Sequence, residues 1–198
     1  TLTERGSLLD SAWMFAATAQ RAAAGFNDHE QMIQSFRVFE AVSYHRGELK
    51  KAVANMDSAL FYAKKAAQSS TILNDLGIAK NEYVLATIHR QENTDDEKNL
   101  KNIVGALNEI NARVRVVIPL HPRTRKILEQ HSIMPEFTMI DPVGYIDMVQ
   151  LTANAKLVMT DSGGLQKEAF FFQKNCVTMR EQTEWIELVE NGFNVTTE

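Results

Sequence analysis

Cysteine is almost missing from this sequence. Cys176 is the only one, so no disulfide can close within the chain, and a reducing compartment is the simplest setting. The first 80 residues hold no proline and only four glycines, Gly6, Gly25, Gly47 and Gly77, which leaves long stretches free to be helical. No run reaches the ~18 apolar residues of a membrane span. Trp13–Ala19 is apolar, but Asp10 and Gln20 bound it and no basic leader precedes it, so no signal peptide is predicted. Excess basic charge is missing too. Lys and Arg number 21 against 25 Asp and Glu, a net charge of −4, which favours neither nucleic acid nor an anionic membrane as partner. An anionic ligand would need a locally built site. There is no Walker phosphate loop, GxSxG elbow or GxGxxG turn, and His29, His45 and His131 stand at no metal-ligand spacing. A cytoplasmic protein is the default reading.

What is present divides near residue 80. Upstream, Ala, Gln, Glu and Lys dominate, and three helices are predicted. The first carries Leu9, Ala12, Phe15, Ala16 and Ala19 at helical spacing, with Gly25 as its stop. The second is capped by Asp28 and striped by Met32, Ile33, Phe36 and Phe39. The third runs from about Glu48 to Ala67. Downstream, short apolar runs alternate with helical segments. Strands are predicted at Tyr83–Ile88, Val114–Leu120, Phe137–Ile140, Lys156–Thr160 and Cys176–Met179, with a last one at Asn194–Thr197. Helices are predicted after the capping run Asn93–Asp96 and over Thr124–His131, Tyr145–Ala153, Leu165–Phe172 and Thr183–Glu190. This alternation predicts an α/β fold with a parallel sheet flanked by helices, preceded by an α-helical N-terminal segment.

In such a sheet ligands gather beyond the carboxyl ends of the strands. Here the strands lead directly into His89-Arg90-Gln91-Glu92-Asn93, His121-Pro122-Arg123, Asp161-Ser162-Gly163-Gly164 and Arg180-Glu181-Gln182. The two glycines, the Ser162 hydroxyl and the free N–H groups of the following helix can cradle a phosphate. Asp161 or Ser162 acting only as a helix cap is the competing reading. Glu168, one turn in, can accept from ribose hydroxyls. His89 sits where an acid or base would sit, although a plain loop histidine has the same sequence signature. Arg180, at the end of a buried strand, suits a phosphate. Phe170–Phe172 reads as packing, and Cys176 as a buried structural thiol.

Thr87-Ile88-His89-Arg90-Gln91-Glu92-Asn93-Thr94-Asp95, His121-Pro122-Arg123-Thr124, Asp141-Pro142-Val143-Gly144-Tyr145 and Thr160-Asp161-Ser162-Gly163-Gly164-Leu165-Gln166-Lys167-Glu168-Ala169 occur in that order, followed by Arg180 and Thr183-Glu184-Trp185 with Glu187. Together these motifs resemble the non-hydrolysing UDP-N-acetylglucosamine 2-epimerase family. The resemblance runs from about Met56 to the end. It implies two domains of unequal kind: a helical segment over 1–55 without a family match, and a Rossmann-like UDP-sugar-binding domain over 56–198, the second half of a GT-B-like fold.

The resemblance also implies an isomerase that converts UDP-GlcNAc to UDP-ManNAc by anti elimination of UDP and its re-addition. Alternatives are epimerisation of a UDP-2,3-diacetamido-uronic acid, and a non-catalytic UDP-sugar-binding half-domain. By motif match His89 is the active-site histidine, Ser162, Gly163 and Gly164 hold the diphosphate, and Glu168 holds the ribose. Arg90, Glu92, His121 and Arg180 are cleft residues that contact sugar or phosphate. No metal or redox cofactor is implied. The expected partners are the UDP-sugar and either a second copy or a missing N-terminal half.

Overall fold

The computed structural model describes residues 2–26 and 28–197. By backbone contacts the chain forms two compact units, Thr1–Ser70 and Thr71–Glu198.

The first unit is three helices, α1 (Leu2–Phe26), α2 (His29–His45) and α3 (Leu49–Ala67). Asp28 caps α2 as expected, its carboxylate accepting the Gln31 N–H at 3.0 Å. Gly25 does not stop α1, which runs one residue further to Phe26. The turn into α3 uses Gly47 at φ +74°, a conformation that costs other residues their Cβ clearance. Ile33, Phe39 and Val42 of α2 are buried with Ala59 and Ala63 of α3. Trp13 packs on Phe39 with ring centres 4.5 Å apart, and Phe36 stacks on Tyr62 at 5.7 Å.

The second unit contains α4 (Ile72–Asp75), β1 (Tyr83–Thr87), α5 (Gln91–Thr94), α6 (Glu97–Asn111), β2 (Arg115–Pro119), α7 (Pro122–Gln130), β3 (Thr138–Ile140), α8 (Tyr145–Asn154), β4 (Leu157–Thr160), α9 (Gly163–Phe171), β5 (Cys176–Thr178), α10 (Ile186–Glu190) and β6 (Asn194–Thr196). The six strands form one sheet in the order β3-β2-β1-β4-β5-β6, and every pair is parallel. This is a Rossmann-like parallel sheet, as the alternation predicted.

Both faces of the sheet are covered, so neighbouring side chains along a strand enter opposite cores and those two apart share one. Val84, Ala86 and Ile88 pack with Val116, Ile118, Leu100, Val104 and Leu107 on one face. Tyr83 and Leu85 pack with Val117, Leu151, Val158 and Leu165 on the other. Tyr83 is fully buried, and its hydroxyl donates to the Leu151 carbonyl at 2.5 Å; desolvation pushes its pKa up. Cys176 is buried in β5, with burial raising its thiol pKa to about 12. It is therefore a structural thiol.

Every predicted strand exists, trimmed by a residue or so at its ends. Asp96, the last residue of the expected capping run, caps α6 by accepting the Asn99 N–H at 2.9 Å. Three helix starts differ. α9 starts at Gly163 rather than Leu165. α7 starts at Pro122 rather than Thr124, with His121 as its cap. The helix expected from Thr183 begins only at Ile186, because Thr183 and Trp185 spend their polar groups elsewhere, as described below. The sheet order reverses between β1 and β4: the chain leaves β1 toward β2 and β3, then returns through α8 to β4 on the other side. The crevice beyond the carboxyl ends of these two strands is the switch point where ligands bind in open parallel sheets.

Candidate functional site

β1 and β4 are neighbours with Thr87 opposite Thr160, and the two hydroxyls lie 2.6 Å apart. This register brings the residues after each strand together. Asp161 follows β4 and is fully buried. Its Oδ2 accepts the backbone N–H of His89 at 3.0 Å, that of Arg90 at 2.9 Å and the Asn93 side-chain amide at 3.2 Å. Its Oδ1 faces His89 Nδ1 at 3.0 Å and takes no other hydrogen bond among the described residues. Extended backbone at Arg90 (φ −67°, ψ 140°) turns consecutive N–H groups onto one carboxylate. Asn93 also donates to the Met179 carbonyl at 2.9 Å, tying the loop to the end of β5.

The pairing shifts both groups. The hydrogen bond that the His89 ring donates to Asp161 raises the His89 pKa above 6.5, against a lowering by burial. Burial acts to raise Asp161, but the His89 ring and the two backbone N–H groups outweigh it and hold the carboxyl below its ordinary value. Nδ1 is committed to Asp161, so the opposite ring nitrogen is the one offered to a ligand. A raised histidine pKa stabilises the fold fully below the unfolded value near 6.5, and that stabilisation is lost as pH rises through the folded midpoint. The depressed Asp161 works in the other direction, stabilising above 3.8 and failing as pH falls through its folded value. An NMR titration of the His89 ring is expected to give a midpoint above 6.5, and Asp161→Asn is expected to move it down.

α9 begins beside this pair. Ser162 is its cap, with Oγ accepting the Leu165 N–H at 3.4 Å, while the Ser162 N–H donates to Thr160 Oγ1 at 2.9 Å. Of the two residues weighed as caps, Ser162 takes the part and Asp161 turns to the His89 loop. The first turn of α9 contains Gly163 and Gly164, and its free N–H groups form an electropositive end. A Cβ on Gly163 would stand 2.9 Å from Glu184 Oε2 and 3.6 Å from Trp185 Nε1, so only glycine leaves that approach open.

The arginines converge here through Glu184. Arg180 Nη1 reaches Glu184 Oε1 at 2.9 Å and Oε2 at 3.0 Å, and Arg90 Nη2 reaches Oε1 at 3.2 Å. The Arg180 hydrogen bond holds the Glu184 carboxyl below its usual pKa. Arg180 Nε also lies 3.8 Å from Glu92 Oε2. The loop carrying Glu184 is pinned to α9: Trp185 Nε1 donates to Gly163 O at 2.7 Å, and Thr183 Oγ1 to Gln166 Oε1 at 2.6 Å. Lys167 Nζ sits 5.1 Å above the Trp185 ring.

A largely apolar pocket of about 270 Å³ opens on the same crevice, walled by Ile88, His89, His121, Val143, Ser162 and Leu165. His121 Nδ1 accepts the Arg123 N–H at 3.2 Å, which fixes the ring at the rim.

Contacts thus join His89, Arg90, Glu92, Ser162, Gly163 and Arg180 in one place, with Gly164 adjoining and His121 across the pocket. Glu168 stands half-buried on the second turn of α9, and its link to the site rests on that position. Sequence reasoning missed Asp161 as partner of the histidine, Asn93 as the tie to β5, and Glu184 with Trp185 as the roof of α9. Asp161 carried a signal, since it follows a buried strand beside the one that delivers His89. The last pair carried none short of the folded loop.

This arrangement has counterparts. The family model for UDP-N-acetylglucosamine 2-epimerase matches residues 19–198, reaching into the helical segment upstream of Met56, where no family match was expected. The UDP-2,3-diacetamido-2,3-dideoxy-D-glucuronate 2-epimerase of Pseudomonas aeruginosa is 55% identical over 141 residues, covering 70% of this chain and 38% of that protein. A UDP-N-acetylglucosamine 2-epimerase homolog of Methanococcus maripaludis is 48% identical over 130 residues, covering 63% and 36%. The chain thus spans well under half the length of these curated relatives. The crystal structure of the Methanocaldococcus jannaschii UDP-GlcNAc 2-epimerase in complex with UDP-GlcNAc and UDP superposes with a TM-score of 0.62 at 33% identity, over 70% of this chain and 41% of that one. A switch-point site of this make-up, on a sheet shared with the GT-B-like epimerase structures and in a chain matched along nearly its whole length, belongs to the UDP-N-acetylglucosamine 2-epimerase family.

Proposed function

We propose that the second unit, Thr71–Glu198, forms the UDP-binding part of a non-hydrolysing UDP-sugar 2-epimerase, and that the whole protein interconverts UDP-GlcNAc and UDP-ManNAc. The observation that carries this reading is the meeting of the His89–Asp161 pair, two arginines and the electropositive start of α9 at the sheet's switch point. In elimination the C2 proton leaves, the C1–O bond to UDP breaks, and UDP departs with the bonding pair. Re-addition restores the C1–O bond and returns a proton to the opposite face of C2. The developing charge on UDP falls on fixed donors, namely the N–H groups of Gly163 and Gly164, the Ser162 hydroxyl, Arg90 and Arg180. The outward nitrogen of His89, whose protonated form Asp161 favours, donates to the departing oxygen. The apolar pocket beside it suits a planar base, Glu168 the ribose, and Glu92 and His121 the remaining polar contacts.

The jannaschii structure, bound to UDP-GlcNAc and UDP, supports the ligand class. The Pseudomonas relative at 55% identity supports a second substrate, a UDP-2,3-diacetamido-uronic acid. Assaying UDP release and C2 inversion with both sugars decides between them. Turnover of neither, with UDP still bound, leaves a binding half that requires a second copy or a separate N-terminal half. A cytoplasmic location follows from the same reading, and no helix among the described residues is long and apolar enough to cross a membrane.

Gly164 offers a clean check on the cradle. A Cβ there would meet only Ser162 Oγ, at 3.7 Å, an ordinary contact. Gly164→Ala is expected to keep or raise folding stability by up to about 1 kcal/mol. It is also expected to weaken UDP binding, because the added methyl stands where phosphate approaches the backbone. Urea denaturation and calorimetry read the two effects separately.

A further inference from the structure

Glu184 holds an unusual place. Its carboxylate bridges Arg90 and Arg180, and its Oε2 stands 2.9 Å from where a Cβ on Gly163 would lie. A negative oxygen pair at the start of a nine-residue helix, flanked by two guanidinium groups, is in the position a phosphate would take. The backbone that carries it is fixed on both sides. Thr183 is bonded to Gln166 and Trp185 to Gly163, and the Trp185 N–H closes the turn onto Thr183 Oγ1 at 3.1 Å. The Glu184 side chain is 49% exposed, so it can turn to solvent while its backbone stays in place.

We propose that Glu184 is a built-in competitor for the diphosphate, holding both arginines and the start of α9 until the ligand displaces its carboxylate. The inference rests on the reading that UDP binds at this site. Displacement has a fixed cost, because the carboxylate must give up its charge-assisted hydrogen bonds to two arginines. A diphosphate that engages both arginines and the helix start recovers that cost. A single phosphate recovers less of it, and a nucleoside never meets the carboxylate. Glu184 therefore selects for the diphosphate and shortens the time that free UDP remains bound. A carboxylate that served only to align the arginines would have the opposite effect on affinity when removed.

The test is calorimetry of the full chain with UDP and with uridine, on the wild type, Glu184→Gln and Glu184→Ala. Far-UV circular dichroism and urea midpoints check that both variants fold. Both substitutions are expected to tighten UDP binding about tenfold, the scale of one lost charge-assisted competitor, and to leave uridine binding unchanged. Saturable UDP binding by the wild type, with equal or weaker binding by both folded variants, overturns the competitor role and leaves the UDP site standing. An equal gain for uridine also overturns it, since that ligand has no phosphate to compete. No saturable UDP binding by any of the three proteins overturns the UDP reading itself, and this inference with it.

Discussion

Replacing Asp161 with alanine is expected to lower folding stability by about 3–5 kcal/mol, the range for breaking a buried charged contact at one partner. The carboxylate is fully buried and accepts from two backbone N–H groups, one amide and one imidazole. Truncation leaves those donors without their shared acceptor, the costly direction of a lost hydrogen bond. Asp161→Asn is expected to cost less, because one oxygen still accepts while the amide N–H₂ opposes the remaining donors. Urea unfolding followed by circular dichroism measures both. A loss below about 1 kcal/mol for Asp161→Ala, the size of an exposed pair, would show that this carboxylate does not organise the loop.

Arg180→Ala is expected to weaken UDP binding about 30- to 100-fold, in line with about 2–3 kcal/mol for contacts to a charged group. The Arg180 side chain is only 13% exposed, so it is held in place before ligand arrives and loses little freedom on binding. Its removal leaves Arg90 as the only guanidinium on the Glu184 carboxylate. Arg180→Lys is expected to recover only part of the loss, since an ammonium cannot present the planar fork that meets two oxygens at once. Calorimetry with UDP reads these effects, and an unchanged urea midpoint separates them from damage to the fold.

Much of the second unit could be read from its residues, for a physical reason. Strands buried on both faces, such as Tyr83–Thr87, must be continuous apolar runs, and the cap Asp96 marks a helix start chemically. The one-turn helices α4 and α5 escaped notice because four residues carry no periodicity. The site was legible as a set of loops at strand tips, but its internal wiring was not. That Asp161 faces His89 depends on β4 lying beside β1, which is a matter of strand order rather than of local sequence. The delayed start of α10 has a similar cause. Thr183 and Trp185 are held by bonds to Gln166 and Gly163, far away in the chain, and not by a helical turn.

In the proposed function, loops from adjacent strands jointly grip uridine diphosphate. The most direct test is a titration of isotope-labelled protein with UDP, followed through backbone amide shifts. The expected result is a single saturable set of changes confined to residues 89–93, 162–165 and 180–185. Saturable changes elsewhere with these amides silent would contradict it.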